Sequence, residues 1–267
     1  MELKYDLYNE DCVRGISKLK DNSVDFIYCD LPFLCTQCSW DQVGVDLKKL
    51  SIELWRVAKA ETPIVFSCNM KFFFKIIEAM GQKWFKFEMI WQKHNSTNPF
   101  SARIRPMPSH ELLAFFYKKQ PKIYYQNILK YHKKKSERFV NPVIQRGQLY
   151  KDEKYTLNMV GGKVARYTPV LPRSVLKIDK ISKCQRSINS TEKPYDLLWF
   201  LLKYYTKEGD VVLDPTFGSC SMGAVCREKN RSFIGFEIDE RQFKHGQERI
   251  KEAGERMKMA QEDHDAP

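Results

Sequence analysis

Residues 211–251 constrain the fold more than any other stretch of the chain. Val211–Asp214 (VVLD) is a short, β-branched run entered through Gly209-Asp210, which reads as a buried strand. A loop of small residues follows, then a helical pattern over 222–229, a strand over 233–237 and an amphipathic helix over 239–251. That order sets a loop at the carboxyl end of a strand and the N-terminus of a helix, where open α/β sheets take up nucleotide-like ligands. Read as a dinucleotide fingerprint, the loop is G-x-C-x-x-G, from Gly218, Cys220 and Gly223. The central Gly that admits a pyrophosphate is missing. The pattern therefore points away from a nicotinamide dehydrogenase and toward a nucleoside cofactor without pyrophosphate. Asp214 ends the first strand, where it can meet an amino group. Glu237 ends the next strand, 19 residues after Gly218, the spacing of an acid that binds ribose hydroxyls. A glycine turn with an acidic helix cap explains the loop alone, but not strand, loop, helix, strand and acid together.

The rest of the chain repeats the alternation. Strands are predicted over 24–29, 64–67, 85–91 and 112–117, and helices over 47–59 and 71–80. Pro194 opens a strong helical run, DLLWFLLKYY, because proline is pre-organised for a first helical position. The expected architecture is α/β: a Rossmann-like, doubly wound, mostly parallel sheet covered on both faces. The polar tail after Met257 is expected to fray.

Charge separates a third part from this sheet. Residues 118–186 hold 18 Lys and Arg against four acids, an excess of +14 that leaves −2 of the net +12 for the rest. Seven aromatics are interleaved there, among them Tyr124, Tyr125, Tyr131 and Phe139. A solvated loop accounts for a charge run. Confinement of the whole excess to one aromatic-rich segment instead suggests a polyanion partner. The chain thus divides into 1–117, a basic insertion 118–187, 188–257 and a tail 258–267.

The run 24–29 delivers Asp30 to the carboxyl end of a strand, followed by Leu31, Pro32 and Phe33. Pro32 restricts itself and its predecessor, which makes a rigid turn. A carboxylate and a backbone carbonyl can together accept both hydrogens of an exocyclic amine, and an adjacent aromatic face can stack on its ring.

With these motifs in view, the chain resembles the amino-DNA methyltransferases, which use S-adenosylmethionine to methylate adenine N6 or cytosine N4. Their catalytic motif [D/N/S]-P-P-[Y/F/W] is similar to Asp30-Leu31-Pro32-Phe33, and their cofactor motif D-P-F-x-G-S-G-T-T is similar to the run from Asp214 to Met222. Thr191-Glu192-Lys193-Pro194 resembles the T-x-K-P element beside the cofactor's methionine end. Glu10-Asp11-Cys12 resembles the adenine-contacting element. Catalytic motif, basic insertion and cofactor motif follow the order of the family's β group, in which the insertion recognises the target. The likeness covers most of residues 5–252 and implies a class I methyltransferase core. Leu31 replaces a Pro but would supply mainly its carbonyl; Phe33 keeps a stacking face. Cys220 replaces a Gly, and its side chain would crowd the cofactor loop.

The resemblance implies a site-specific DNA adenine-N6 methyltransferase acting on a base flipped from duplex DNA. Phe33 would stack on the base. Asp30 and the Leu31 carbonyl would bind its amine, and Asp30 would stabilise positive charge developing on nitrogen during direct transfer. Asp at the first motif position favours adenine, where Ser favours cytosine. The implied cofactor residues are Asp11, Cys12, Asp30, Thr191, Lys193, Asp214, Thr216, Phe217, Gly218, Ser219, Cys220, Glu237 and Ile238. The implied DNA-binding residues are Arg103, Arg105, Lys133, Lys134, Lys135 and Arg138. Cytosine-N4 methylation, RNA adenine methylation and a nucleic-acid-binding module without activity are the alternatives. No metal is expected, since Cys35 and Cys38 form a lone C-x-x-C among eight cysteines. No run approaches the roughly 20 apolar residues of a membrane span, and MELKYDLYNEDC lacks a signal peptide's pattern. A cytoplasmic protein is expected, with double-stranded DNA as partner; a homodimer is compatible with this reading.

Overall fold

The computed structural model describes residues 2–32, 44–93, 102–124, 130–132, 159–160, 163–164, 168–170, 173–179 and 192–265. The chain divides into two units, Met1–Tyr124 with Arg173–Pro267, and Tyr125–Pro172. The first unit begins with β1 (Tyr5–Tyr8), α1 (Cys12–Ile16), β2 (Phe26–Cys29), α2 (Leu47–Val57), β3 (Ile64–Cys68), α3 (Met70–Met80), β4 (Phe85–Gln92) and β5 (His110–Phe116). The second unit holds β6 (Lys130–His132), β7 (Met159–Val160), β8 (Lys163–Val164) and β9 (Thr168–Val170), paired antiparallel as β6 with β9 and β7 with β8. The first unit resumes with β10 (Val175–Lys177), α4 (Tyr195–Tyr205), β11 (Val211–Asp214), α5 (Ser221–Glu228), β12 (Ser232–Phe236) and α6 (Glu240–Asp265).

The sheet of the first unit has eight strands in the order β1-β12-β11-β2-β3-β5-β4-β10. Every neighbouring pair is parallel except those made by β5, which returns antiparallel between β3 and β4. Side chains alternate across it, as the two-residue period of a strand requires. Ile27 and Cys29 join Leu50, Leu54, Phe72 and Ile76 of α2 and α3 on one face. Phe26 and Tyr28 join Leu197, Leu201 and Val225 of α4 and α5 on the other. This is the α/β, doubly wound, mostly parallel sheet read from the alternation. Asp46 and Asn69 cap α2 and α3 by accepting backbone N–H groups at 3.1 and 2.9 Å, and Gly81, at φ +90°, ends α3.

The amphipathic pattern ends the last helix at 251 and leaves the tail to fray; α6 instead runs to Asp265. No proline interrupts it before Pro267. Ala253 is buried, and Arg256 grips Glu228 of α5 at 2.9 and 3.1 Å. Residues 5–8 form a strand that the alternation does not announce, because only a half-buried pattern marks it. Among the described residues, no helix is long and apolar enough to cross a membrane.

Close packing gives one stability prediction. A Cβ on Gly15 would lie 2.1 Å from the ring of Phe236, and that ring is fully buried. Gly15→Ala is expected to destabilise the protein by about 1–3 kcal/mol, read from its denaturation midpoint. An unchanged midpoint would show that the ring is free to move.

Candidate functional site

The carboxyl ends of the parallel strands share one edge of the sheet. β2 delivers Asp30 there, β11 delivers Asp214 and β12 delivers Glu237. Because β5 runs the other way, its first residues, His110 and Glu111, come to the same edge.

Asp30 is the centre of a buried charge network. Lys193 Nζ donates to both Asp30 carboxylate oxygens, at 2.7 and 2.6 Å, and lies 3.4 Å from Glu111. Glu111 also accepts from Ser67, at 3.2 Å, and pairs with Lys93. The Lys193 and Lys93 side chains are only 7% and 8% exposed, while that of Asp30 is 26% exposed. Two ammonium groups therefore offset two carboxylates out of bulk water, the arrangement that makes burying charge tolerable. Burial raises the Asp30 pKa; Lys193 opposes the shift and Glu111 adds to it. Burial alone would lower the Lys193 pKa, but Asp30 and Glu111 outweigh it and keep the amine protonated. Burial would likewise raise Glu111, yet Lys193 and Lys93 hold it down at about 2.

Sequence reasoning missed Glu111 and Lys93. His110 is exposed, while strand alternation turns its neighbour Glu111 inward. Trp91 is buried and donates its indole N–H to the Ile178 carbonyl at 2.8 Å.

The loop after β11 is tied to Asp30. Thr216 donates its hydroxyl to the Asp30 carbonyl, at 3.3 Å, and its backbone N–H to the buried Asp214, at 3.1 Å. Burial pushes the Asp214 carboxyl well above its usual range. Glu237 accepts the backbone N–H groups of Gly218 and Asp239, both at 2.9 Å. Burial raises its pKa, and these two bonds oppose the rise. Gly218 has φ +51°, and a Cβ built on it would meet nothing within 4 Å. Open space thus faces the loop, with Glu237 closing one end and Ile238 exposed beside it. Asn9 holds this corner by donating to the Glu237 and Ile238 carbonyls at 2.8 and 3.2 Å. Asp11 caps α1 through the Arg14 N–H at 2.9 Å. Cys12 is buried, and its thiol is pushed up to about 12 by burial and then by Asp11.

The expectation that Cys220 crowds the loop is corrected by its geometry. Its side chain is fully buried, and a Cβ on Gly223 would come within 2.5 Å of its sulfur. The residue takes the left-handed φ of +57°, the conformation that favours glycine, at about 1–2 kcal/mol for a residue with a side chain. Phe217 is turned inward as well, its ring close against Gly235 and Gly246. The Cys220 N–H donates to the Phe217 carbonyl at 2.7 Å. The side chains of both residues therefore shape the loop from the core side.

A second buried cluster fastens the 192–194 segment to this loop. Glu192 pairs with Arg249 of α6 and accepts from Ser221 at 2.9 Å. Arg249 also donates to the Ser219 carbonyl at 3.1 Å, and the Ser219 and Ser221 hydroxyls lie 3.2 Å apart. In the sequence Glu192 stands only at the variable position of the T-x-K-P element, and nothing marks Arg249.

Leu31 is buried, and Pro32 is half-buried. Arg103 and Arg105 are exposed in the connection between β4 and β5, which begins and ends at the sheet edge that carries Asp30. Phe33, Thr191, Lys133, Lys134, Lys135 and Arg138 lie outside the described residues, as do Cys35 and Cys38.

Comparison with known proteins matches residues 24–248 to a family model described as DNA methylase, of the N6/N4 type. Type II methyltransferase M.HinfI of Haemophilus influenzae is 23% identical over 269 residues, covering 91% of this chain and 67% of the relative. Type II methyltransferase M.HpaI of Haemophilus parainfluenzae is 25% identical over 257 residues, covering 90% and 72%. Among solved structures, the M1.HpyAVI–SAM complex aligns with a TM-score of 0.59 at 20% identity, covering 92% of this chain and 99% of that one. The cytosine-N4-specific PvuII DNA methyltransferase aligns with a TM-score of 0.61 at 15% identity, covering 94% and 91%. These structural likenesses establish the class I methyltransferase fold. With a partly exposed carboxylate, an open loop beside it and a matched family model spanning most of its length, the chain belongs to the N6/N4 DNA methylase family.

Proposed function

We propose that this protein methylates the N6 amino group of adenine in double-stranded DNA, acting on a base rotated out of the stack. The observation that carries the reading is the junction of Asp30 with the loop after β11. The partly exposed carboxylate and the open side of Gly218 belong to one edge, joined through Thr216. S-adenosylmethionine is the methyl donor and supplies an electrophilic methyl group. Glu237 would hold the ribose hydroxyls, Asp11 and Ile238 the adenine end, and Thr191, Lys193 and Thr216 the methionine end. Phe217 and Cys220, both buried, would shape the loop from the core side.

Asp30 acts on the base. Its carboxylate and the Leu31 carbonyl accept the two amino hydrogens, with Pro32 fixing the turn and Phe33 stacking on the ring. As the nitrogen takes the methyl group and the donor leaves as its neutral thioether, positive charge would develop on the nitrogen; the nearby carboxylate would stabilise that charge, and one amino proton would then be lost to solvent. Asp rather than Ser at position 30 favours adenine over cytosine. Nucleoside analysis of unmethylated duplex DNA after incubation with protein and donor tests this: N6-methyladenine is expected, and N4-methylcytosine would overturn the base assignment. Methylation of RNA alone would overturn the substrate.

The +14 segment is the proposed duplex-binding surface, with Arg103 and Arg105 reaching phosphates at the catalytic edge. Changing Lys133, Lys134 and Lys135 to Gln is expected to flatten the salt dependence of DNA binding. The slope should fall by up to about 0.9 for each phosphate that is no longer neutralised. An unchanged slope would return the triplet to ordinary surface charge. The cytoplasm is the proposed place of action.

A further inference from the structure

Lys93 and Glu111 are not needed to bind the base or the donor in the proposed reaction, yet Lys93 is buried and Glu111 half-buried behind its catalytic carboxylate. Lys193 touches both oxygens of Asp30. Acting alone, so close a cation would draw charge from the very oxygens that must receive the amine. Glu111 lies on the other side of the same ammonium, at 3.4 Å, and Lys93 lies beyond Glu111. Charge therefore alternates along Asp30, Lys193, Glu111 and Lys93. Four separate segments bring these residues together: the end of β2, the segment before α4, the start of β5 and the end of β4. Among the described residues, Asp214 on β11, Tyr28 and Cys29 on β2, and Cys68 on β3 are further titratable groups that feel the Asp30 charge.

We propose that Glu111 is a positioning residue that shares the Lys193 charge and so keeps Asp30 a strong acceptor for the target amine, and that Lys93 is its counterweight. Glu111 draws the ammonium away from Asp30, and Lys93 limits how far it does so. The proposal rests on Asp30 receiving the amine, but its electrostatic part is measurable with neither donor nor DNA.

The test is a carbon-13 titration of the Asp30 carboxyl in the unliganded protein, with Asp30→Asn identifying the signal. Glu111→Gln keeps the shape and an accepting oxygen but removes a like charge, so the Asp30 midpoint is expected to move to lower pH. Lys93→Met removes an opposite charge, so the midpoint is expected to move to higher pH. In methyl transfer, kcat of Glu111→Gln should fall about tenfold, less than the roughly 100-fold or more expected when a group touching the transition state is removed. The KM for S-adenosylmethionine should stay within about twofold. Glu111→Asp, which keeps the charge, should recover most of the rate. Midpoints that stay put or move the same way in the two variants would overturn the proposal, as would an unchanged kcat in Glu111→Gln. If Lys93→Met fails to fold, Glu111→Gln decides alone: a midpoint that stays or rises overturns the proposal. If the wild-type protein transfers no methyl group, the functional reading fails, while the midpoints still decide the charge coupling.

Discussion

Asp30→Ala is expected to lower the rate of methyl transfer by roughly 100- to 1,000-fold while cofactor affinity changes little. The carboxylate is the only acidic side chain in the Asp30–Phe33 motif, and its side chain is 26% exposed where the lysines behind it are buried. Its removal takes away the acceptor for the amine and the negative charge that stabilises the attacking nitrogen. The loop after β11 should survive, because Thr216 bonds to the backbone carbonyl of residue 30, not its carboxylate. Lys193 would still face Glu111. Single-turnover transfer of labelled methyl groups, alongside calorimetric titration with S-adenosylmethionine, reads both effects. Wild-type turnover in this variant would remove Asp30 from the mechanism.

Glu237→Ala is expected to act on the opposite quantity, weakening cofactor binding by roughly 10- to 100-fold, the scale of one or two hydrogen bonds to a charged group. The structure gives this residue a clasp on the loop through Gly218 and Asp239, and its carboxylate is proposed to hold the ribose hydroxyls as well. Both losses weaken the donor site, whereas kcat at saturating donor should change only a few-fold because Glu237 is remote from the amine in this scheme. Unchanged affinity in calorimetry would separate Glu237 from the donor and leave it as a clasp of the loop alone.

The parts of the site that were legible in the sequence are contiguous in the chain. Asp30 to Phe33 and Asp214 to Cys220 each sit at the end of an apolar run, and Glu237 follows Gly218 at the expected interval. The two-sided sheet was legible too, because strands and helices alternate in the chain. What escaped is assembled by packing between distant segments. Glu111 meets Lys193 and Lys93 only because β5 enters antiparallel between β3 and β4, pairing Glu111 with Trp91. Glu192 meets Arg249 only because α6 packs beside the loop. Cys220 shows a different limit: its identity suggested a crowded loop, but the direction of its side chain follows from a left-handed backbone that no spacing reveals.

A structure of the protein with duplex DNA and S-adenosylhomocysteine, the spent donor, tests the central claim most directly. One adenine is expected out of the stack, its amino nitrogen against the Asp30 carboxylate, and the donor product along the edge from Asp214 to Glu237 with its sulfur facing that nitrogen. A base left stacked in the duplex, or a donor product bound away from that edge, would contradict it.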